Sequence, residues 1–107
     1  MRGEALAVLV AVLIADLRFL DAQSLKDKRQ RLSSVVARLR SRFPVSVAET
    51  AFHDLWQRGR IGVALATTDA GLAQSMMDRI RNQIGTDGEV ELLDSRVELI
   101  DIEEGST

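Results

Sequence analysis

His53 is the only histidine in the chain, Asp54 follows it directly, and Trp56 stands two residues further on. An imidazole oriented by a carboxylate is the working unit of general-base catalysis. Adjacent residues of an extended segment point to opposite sides, however, which disfavours a direct His53–Asp54 pair. His53 is therefore expected to help close a hairpin turn. Trp56 is expected to pack beside it at the end of the core, partly buried, with its indole N–H bonded. Glu49 is the second carboxylate of interest. It shares parity with Val45 and Val47 and so points toward the core, where a lone charge is costly unless paired. Lys28 or Arg29 is the expected partner, in a structural ion pair rather than as a catalytic acid. No catalytic residue is assigned, and the chain is not expected to be an enzyme.

Metal and nucleotide chemistry find little to build on. With no cysteine and one histidine there is no thiolate nucleophile, no disulfide and no cysteine-ligated metal. The carboxylates are scattered and form no DxDxDG loop. Neither GxxxxGK[ST] nor GxGxxG occurs, and GTDG at Gly85–Gly88 reads as a turn. No metal and no cofactor is expected.

Phosphate binding has a better claim. Ser24–Phe43 carries Lys26, Lys28, Arg29, Arg31, Arg38, Arg40 and Arg42, half of the 14 basic residues. Lys28, Arg29, Arg31, Arg38, Arg40 and Arg42 are the candidate nucleic-acid contacts, with Arg18, Arg58 and Arg60 as possible additions. Against this, the central strands offer a small-residue row, Gly62, Ala64 and Ala66, where a base-stacking sheet would carry aromatics. The competing reading is a solvated helix face neutralised by the acidic last strand or the second helix.

These residues need elements to hold them. Leu25, Leu32, Val35, Val36, Leu39 and Phe43 recur at helical steps, so Ser24–Phe43 is an amphipathic helix. Ser24 with Asp27 three residues on makes a capping box, and Pro44 stops the helix. Residues 5–20 form a long strand with Leu9, Leu13, Leu17 and Phe19 inward, while Val8, Val10, Val12 and Ile14 face outward although apolar. Val45–Phe52 and Arg60–Thr68 are strands two and three, joined by a turn at His53–Gly59. Asp69 caps a second helix whose stripe is Leu72, Met76, Ile80 and Ile84. Val90–Ile102 is the last strand, in which Ile100 and Ile102 break parity and suggest a bulge nearby. Glu103–Thr107 is expected to be a frayed tail.

The order βαββαβ predicts an α+β, ferredoxin-like domain over residues 1–107, its core spanning about 5–102. Its four antiparallel strands should run in order 4-1-3-2 with both helices on one face. The other face is then open. An uncovered row of Val8, Val10, Val12 and Ile14 asks for a partner, and a homodimer through this face or the first strand's edge is expected.

Hydrophobic residues at 46% and charged ones at 28% describe an ordinary globule. The net charge of −2 hides an asymmetry. Ala22–Pro44 has seven basic residues against Asp27 alone, and Gly85–Thr107 has eight acidic residues against Arg96 alone. The apolar run Ala5–Ala15 falls far short of the ~20 residues a bilayer span needs, and Glu4 spoils it as a signal core. No membrane association is expected, and a cytoplasmic setting is.

SLKDKR at Ser24–Arg29, SVAE at Ser46–Glu49 and DLWQR at Asp54–Arg58 stand in an order and spacing that resemble the YlxP-like family of small bacterial proteins. Ser24, Lys26, Asp27, Asp54, Trp56 and Gln57 carry that resemblance, which runs from about Leu9 to Ile102. It implies a ferredoxin-like fold and no established activity. Its genes neighbour those of transcription-termination and translation-initiation factors, which implies an RNA- or ribosome-linked role. The chain departs from the pattern in having extra residues over Met1–Val8, and Leu20 where a proline is common. The combined expectation is a non-enzymatic binding module, RNA- or ribosome-associated through its basic first helix. The alternative is a homodimeric interaction or small-ligand regulatory domain using the open sheet face.

Overall fold

The computed structural model describes residues 7–103. The expected strand start at Ala5 and the tail beyond Glu103 lie outside them, as do all but the last two of the extra residues Met1–Val8. The elements are β1 (Ala7–Phe19), α1 (Leu25–Arg42), β2 (Ser46–Ala51), β3 (Arg58–Thr67), α2 (Ala70–Gly85) and β4 (Val90–Glu103). The sheet runs β2-β3-β1-β4 with every pairing antiparallel, which is the ferredoxin-like order. β1 bonds to β3 on one side and β4 on the other along nearly its whole length. That removes one expected dimer route: the first strand has no free edge, because it is one of the two inner strands.

Parity along β1 holds as read. Ala11, Leu13, Ala15, Leu17 and Phe19 are fully buried beneath the helices, while Val12, Ile14 and Asp16 alternate on the opposite, half-covered face. Ile61, Val63 and Leu65 of β3 and Val47 of β2 join the same core. Both helices lie over it. α1 buries Lys28, Leu32, Val35 and Leu39, and α2 buries Ala73, Met77, Ile80 and Ile84. The second stripe therefore lies one residue on from the expected Leu72–Met76 start, and Leu72 is exposed. Leu72 and Ala73 both fit helical spacing and the sheet surface selects Ala73, while Met76 stays partly buried against the core beside Met77.

The caps are local chemistry. Ser24 Oγ accepts the N–H of Asp27, and Asp27 Oδ2 accepts that of Gln23, closing the box one residue further back than usual. Asp69 Oδ1 accepts from Leu72 N–H. The suspected irregularity in β4 exists but elsewhere: the register shifts between Asp16 and Leu17, leaving Leu93 unpaired. Ile100 and Ile102 do not break parity. They pair with Val10 and Val8 on the open face, 44% and 52% exposed. Glu103, expected in the frayed tail, is the last residue of β4.

Candidate functional site

The most constrained charge in the molecule is Lys28, which has no solvent exposure. It opens the buried stripe of α1, where a leucine would be the ordinary choice. Its Nζ donates to Glu49 Oε2 at 2.9 Å and to the Phe52 carbonyl at 2.8 Å. It also sits 5.9 Å from the centroid of the Phe19 ring. A buried ammonium is tolerable only when paired and hydrogen-bonded, and this one is both. Gly59 makes room for the arrangement. A Cβ there would come within 2.9 Å of Phe19 Cε2 and 3.7 Å of Lys28 Cε.

Glu49 is thus in the expected ion pair, with Lys28 rather than Arg29. Lys28 is correspondingly withdrawn from the phosphate-binding set, since its ammonium cannot meet solvent. The other Glu49 oxygen, Oε1, lies 3.8 Å from His53 Nε2. So His53 has a carboxylate neighbour, but it is Glu49 four residues back and not Asp54. Phe52 takes a left-handed φ of 65°, which turns its carbonyl toward Lys28 and begins the loop to β3. Its ring is flanked by the guanidinium groups of Arg58 and Arg60, at 5.0 and 5.2 Å from the centroid.

The three stretches that carry the resemblance therefore converge. Lys28 comes from SLKDKR and Glu49 from SVAE. DLWQR is the loop tied back to β1 by Phe19 N–H donating to the Gln57 carbonyl at 2.9 Å. Sequence reasoning reaches Glu49 but leaves Lys28 and Arg29 undecided. The signal that separates them is a lysine at the head of an apolar i, i+4, i+7, i+11 series. Trp56 departs from expectation. It is 51% exposed beside an exposed Leu55 and Asp54, and no described group accepts its indole N–H. Neither side chain is part of the core.

The basic residues of α1 divide between two sides. Arg31 Nε donates to Asp27 Oδ1 at 3.2 Å, its Nη1 bonds the Leu20 carbonyl, and Nη2 reaches that of Asp21, so it holds the β1–α1 turn. Arg38 pairs with Asp87 in the α2–β4 turn. Arg40, on the opposite side, donates to the Val47 carbonyl at 2.9 Å at the rim of β2. Lys26, Arg29 and Arg42 are exposed, and no described side-chain bond or ion pair engages them. The charge of the helix is partly spent on turns, and the acidic β4 takes none of it.

The open face has its own pairs. Asp16 opposes Arg60 across β1 and β3 with Nε–Oδ1 at 2.6 Å and Nη2–Oδ2 at 3.4 Å. That bond, more than the accompanying Coulomb attraction, holds the Asp16 carboxyl below the usual range and raises Arg60. Asp27 is lowered too, first by the Gln23 N–H and then by Arg31. Arg18 reaches Glu91 at 3.2 Å and Arg96 reaches Glu98 at 3.3 Å. Arg18 and Arg60 are thereby engaged, and of the added phosphate candidates only Arg58 has no carboxylate partner among the described residues. Val8, Val10, Val12 and Ile14 line the same face, each half-buried. No described helix is long and apolar enough to cross a membrane.

Comparison with known proteins shows the family. A family described as "Protein of unknown function (DUF503)" matches residues 10–97. "Uncharacterized protein YlxP" of Bacillus subtilis (strain 168) is 32% identical over 78 residues, 73% of this chain and 85% of that protein. Among solved structures, the de novo designed protein Foldit4 superposes with a TM-score of 0.43 at 16% identity, over 92% of this chain and 99% of its own.

Proposed function

This chain belongs to the DUF503 family of proteins of unknown function and is similar to YlxP, and from that premise we propose that it is a non-enzymatic module that binds RNA. The contact surface is the end of the molecule where the first turns of α1 meet the Asp54–Arg58 loop. Lys26 and Arg29 supply phosphate contacts, with Arg40 further along α1, and Trp56 supplies a ring on which an unpaired base can stack. The observation that carries this reading is the exposure of Trp56 in a loop whose start, Phe52, is bonded to Lys28 of a helix whose cations Lys26 and Arg29 have no described partner. A half-exposed tryptophan leaves its ring available for contact. The Lys28–Phe52 bond ties the loop to the helix, so both contact elements are held in fixed relation.

The test uses Trp56 as its own probe, because it is the only tryptophan. Single-stranded RNA titrated at low salt should quench and shift its emission. Reversing Lys26 and Arg29 to Glu should reduce the log–log salt slope by roughly 0.7 for each phosphate no longer engaged. Unchanged emission together with no gel shift at low salt overturns the proposal.

A further inference from the structure

β4 is the edge of the sheet, and no described strand pairs with its outer side. It is also the longest described strand, Val90–Glu103, with no proline or lysine to blunt it. Natural edges of this length are usually bulged away or covered. Here the one bulge, at Leu93, leaves Asp94–Glu103 regular. The short opposite edge, β2, is by contrast partly capped by Arg40 on the Val47 carbonyl. We propose that β4 pairs antiparallel with β4 of a second copy of this chain, with the two-fold axis at Val97, to give one continuous eight-stranded sheet.

The register follows from charge. A two-fold antiparallel pairing must oppose residues of the same face, so the axis passes through a residue and not between two. An axis at Arg96 sets Arg96 against itself, and one at Glu98 sets Glu98 against itself. An axis at Leu99 leaves both charges facing isoleucines, and one at Ile100 still sets Glu98 against Ile102. An axis at Asp101 opposes two aspartates. An axis at Ser95 would match Arg96 with Asp94, but it sets Glu98 against Leu92 and carries the pairing across the bulge at Leu93. The axis at Val97 pairs Arg96 with Glu98 of the second copy and Glu98 with its Arg96, sets Asp94 against Ile100 only at the ends of the contact, and keeps the pairing clear of the bulge at Leu93. On the helix-facing side it brings the two Val97 side chains together and sets Ser95 against Leu99, which is 41% exposed in the single chain. In one chain Arg96 and Glu98 already touch at 3.3 Å while both stay largely in solvent. Pairing across the axis uses the same two groups. The excess of carboxylates on β4 then acts against other registers.

Face-to-face packing of the open sheet faces has no such match. It would take the Asp16–Arg60, Arg18–Glu91 and Arg96–Glu98 pairs out of water together, at a desolvation cost their Coulomb energy does not clearly return. The edge contact is small, involving Asp94–Ile100 of each copy, so it belongs to the weak class of interfaces.

The chain has no cysteine, so Val97→Cys introduces a single thiol that can meet only its own copy on the axis. Mild oxidation of folded protein should give a disulfide-linked dimer. In the cysteine-free chain, sedimentation up to on the order of 100 μM should show dimer. Arg96→Glu and Glu98→Arg should each abolish it, and the double variant should restore it. Thermal melts check that each variant folds, and the charge reversals decide the matter even if Val97→Cys does not fold. A monomer throughout that concentration range overturns the proposal. So does a dimer that survives both single reversals, because it must then use another surface.

Discussion

At the scale of single residues, Lys28 and Asp16 show opposite uses of a charge pair. Lys28 is fully enclosed, whereas the side chain of Glu49 keeps 22% of its exposure. Glu49→Ala should therefore leave an ammonium buried with only the Phe52 carbonyl, and cost about 3 kcal/mol. Lys28→Met keeps the packed stem and lets Glu49 turn to water, so it should cost distinctly less. Urea unfolding of the two variants checks the order, and equal losses would show that the ammonium is not the strained partner. Asp16 is the pH-sensitive member. Its folded pKa lies below the ordinary 3.8 because Arg60 donates to it. The stabilisation is complete above the unfolded pKa and is lost as pH falls through the folded one. Melting temperatures measured from pH 7 to pH 2 should fall in that acidic window, and Asp16→Asn should flatten the fall. Trp56→Ala should leave stability nearly unchanged, as exposed changes usually do, which contrasts with the 3–5 kcal/mol that a core tryptophan would cost.

At the scale of elements, α1 is the part whose charges do different things on different sides. Arg31 and Arg38 fasten the β1–α1 and α2–β4 turns through the Leu20 and Asp21 carbonyls and Asp87. Reversing both to Glu should lower stability by about 1–2 kcal/mol, since several bonds to charged groups disappear at partly exposed sites. Reversing Lys26 and Arg29 should stay within about 0.5 kcal/mol per site. Chemical denaturation run beside the RNA titration separates the two pairs. If the turn-side reversal leaves the fold untouched, those bonds contribute nothing in solution. The helix thus reads as basic in sequence but offers only part of that charge outward.

At the scale of the whole molecule, helix cover and sheet length do not match. Val97 packs against the core, but Leu99, on the same side of β4, is 41% exposed, so the helices' shelter ends between them. The β1–β4 ribbon continues past that point to the Ala7–Glu103 pair. Local stability should follow burial. Amide exchange should be slowest around Leu13, Ala15 and Ile61, and markedly faster at Val8, Ile100 and Ile102. Uniform protection along β1 would mean that the ribbon end is covered in solution by something beyond the described chain. Concentration dependence of the β4 amides alone would point to pairing at its edge.

The sequence by itself was enough for the element order, the caps at Ser24 and Asp69, the inward parity of Leu13, Leu17, Ile61 and Val63, and the pairing need of Glu49. Each of these is set by neighbours within a few residues, through helical period, strand alternation or side-chain capping, or by topology rules that follow from handedness. Four other features depend on surfaces brought together from far along the chain. The sheet decided that α2 turns Ala73 and Met77 fully inward, keeps Met76 partly buried against the core and leaves Leu72 exposed. The meeting of β2 with α1 chose Lys28 over Arg29 and took it out of solvent. The path of the 52–57 loop decided that Trp56 faces outward. A bulge at Leu93, not near the isoleucines, kept Ile100 and Ile102 on the open face beside Val10 and Val8. None of these is a local property: each depends on what covers a residue, which no stretch of sequence specifies until the strands have taken their places.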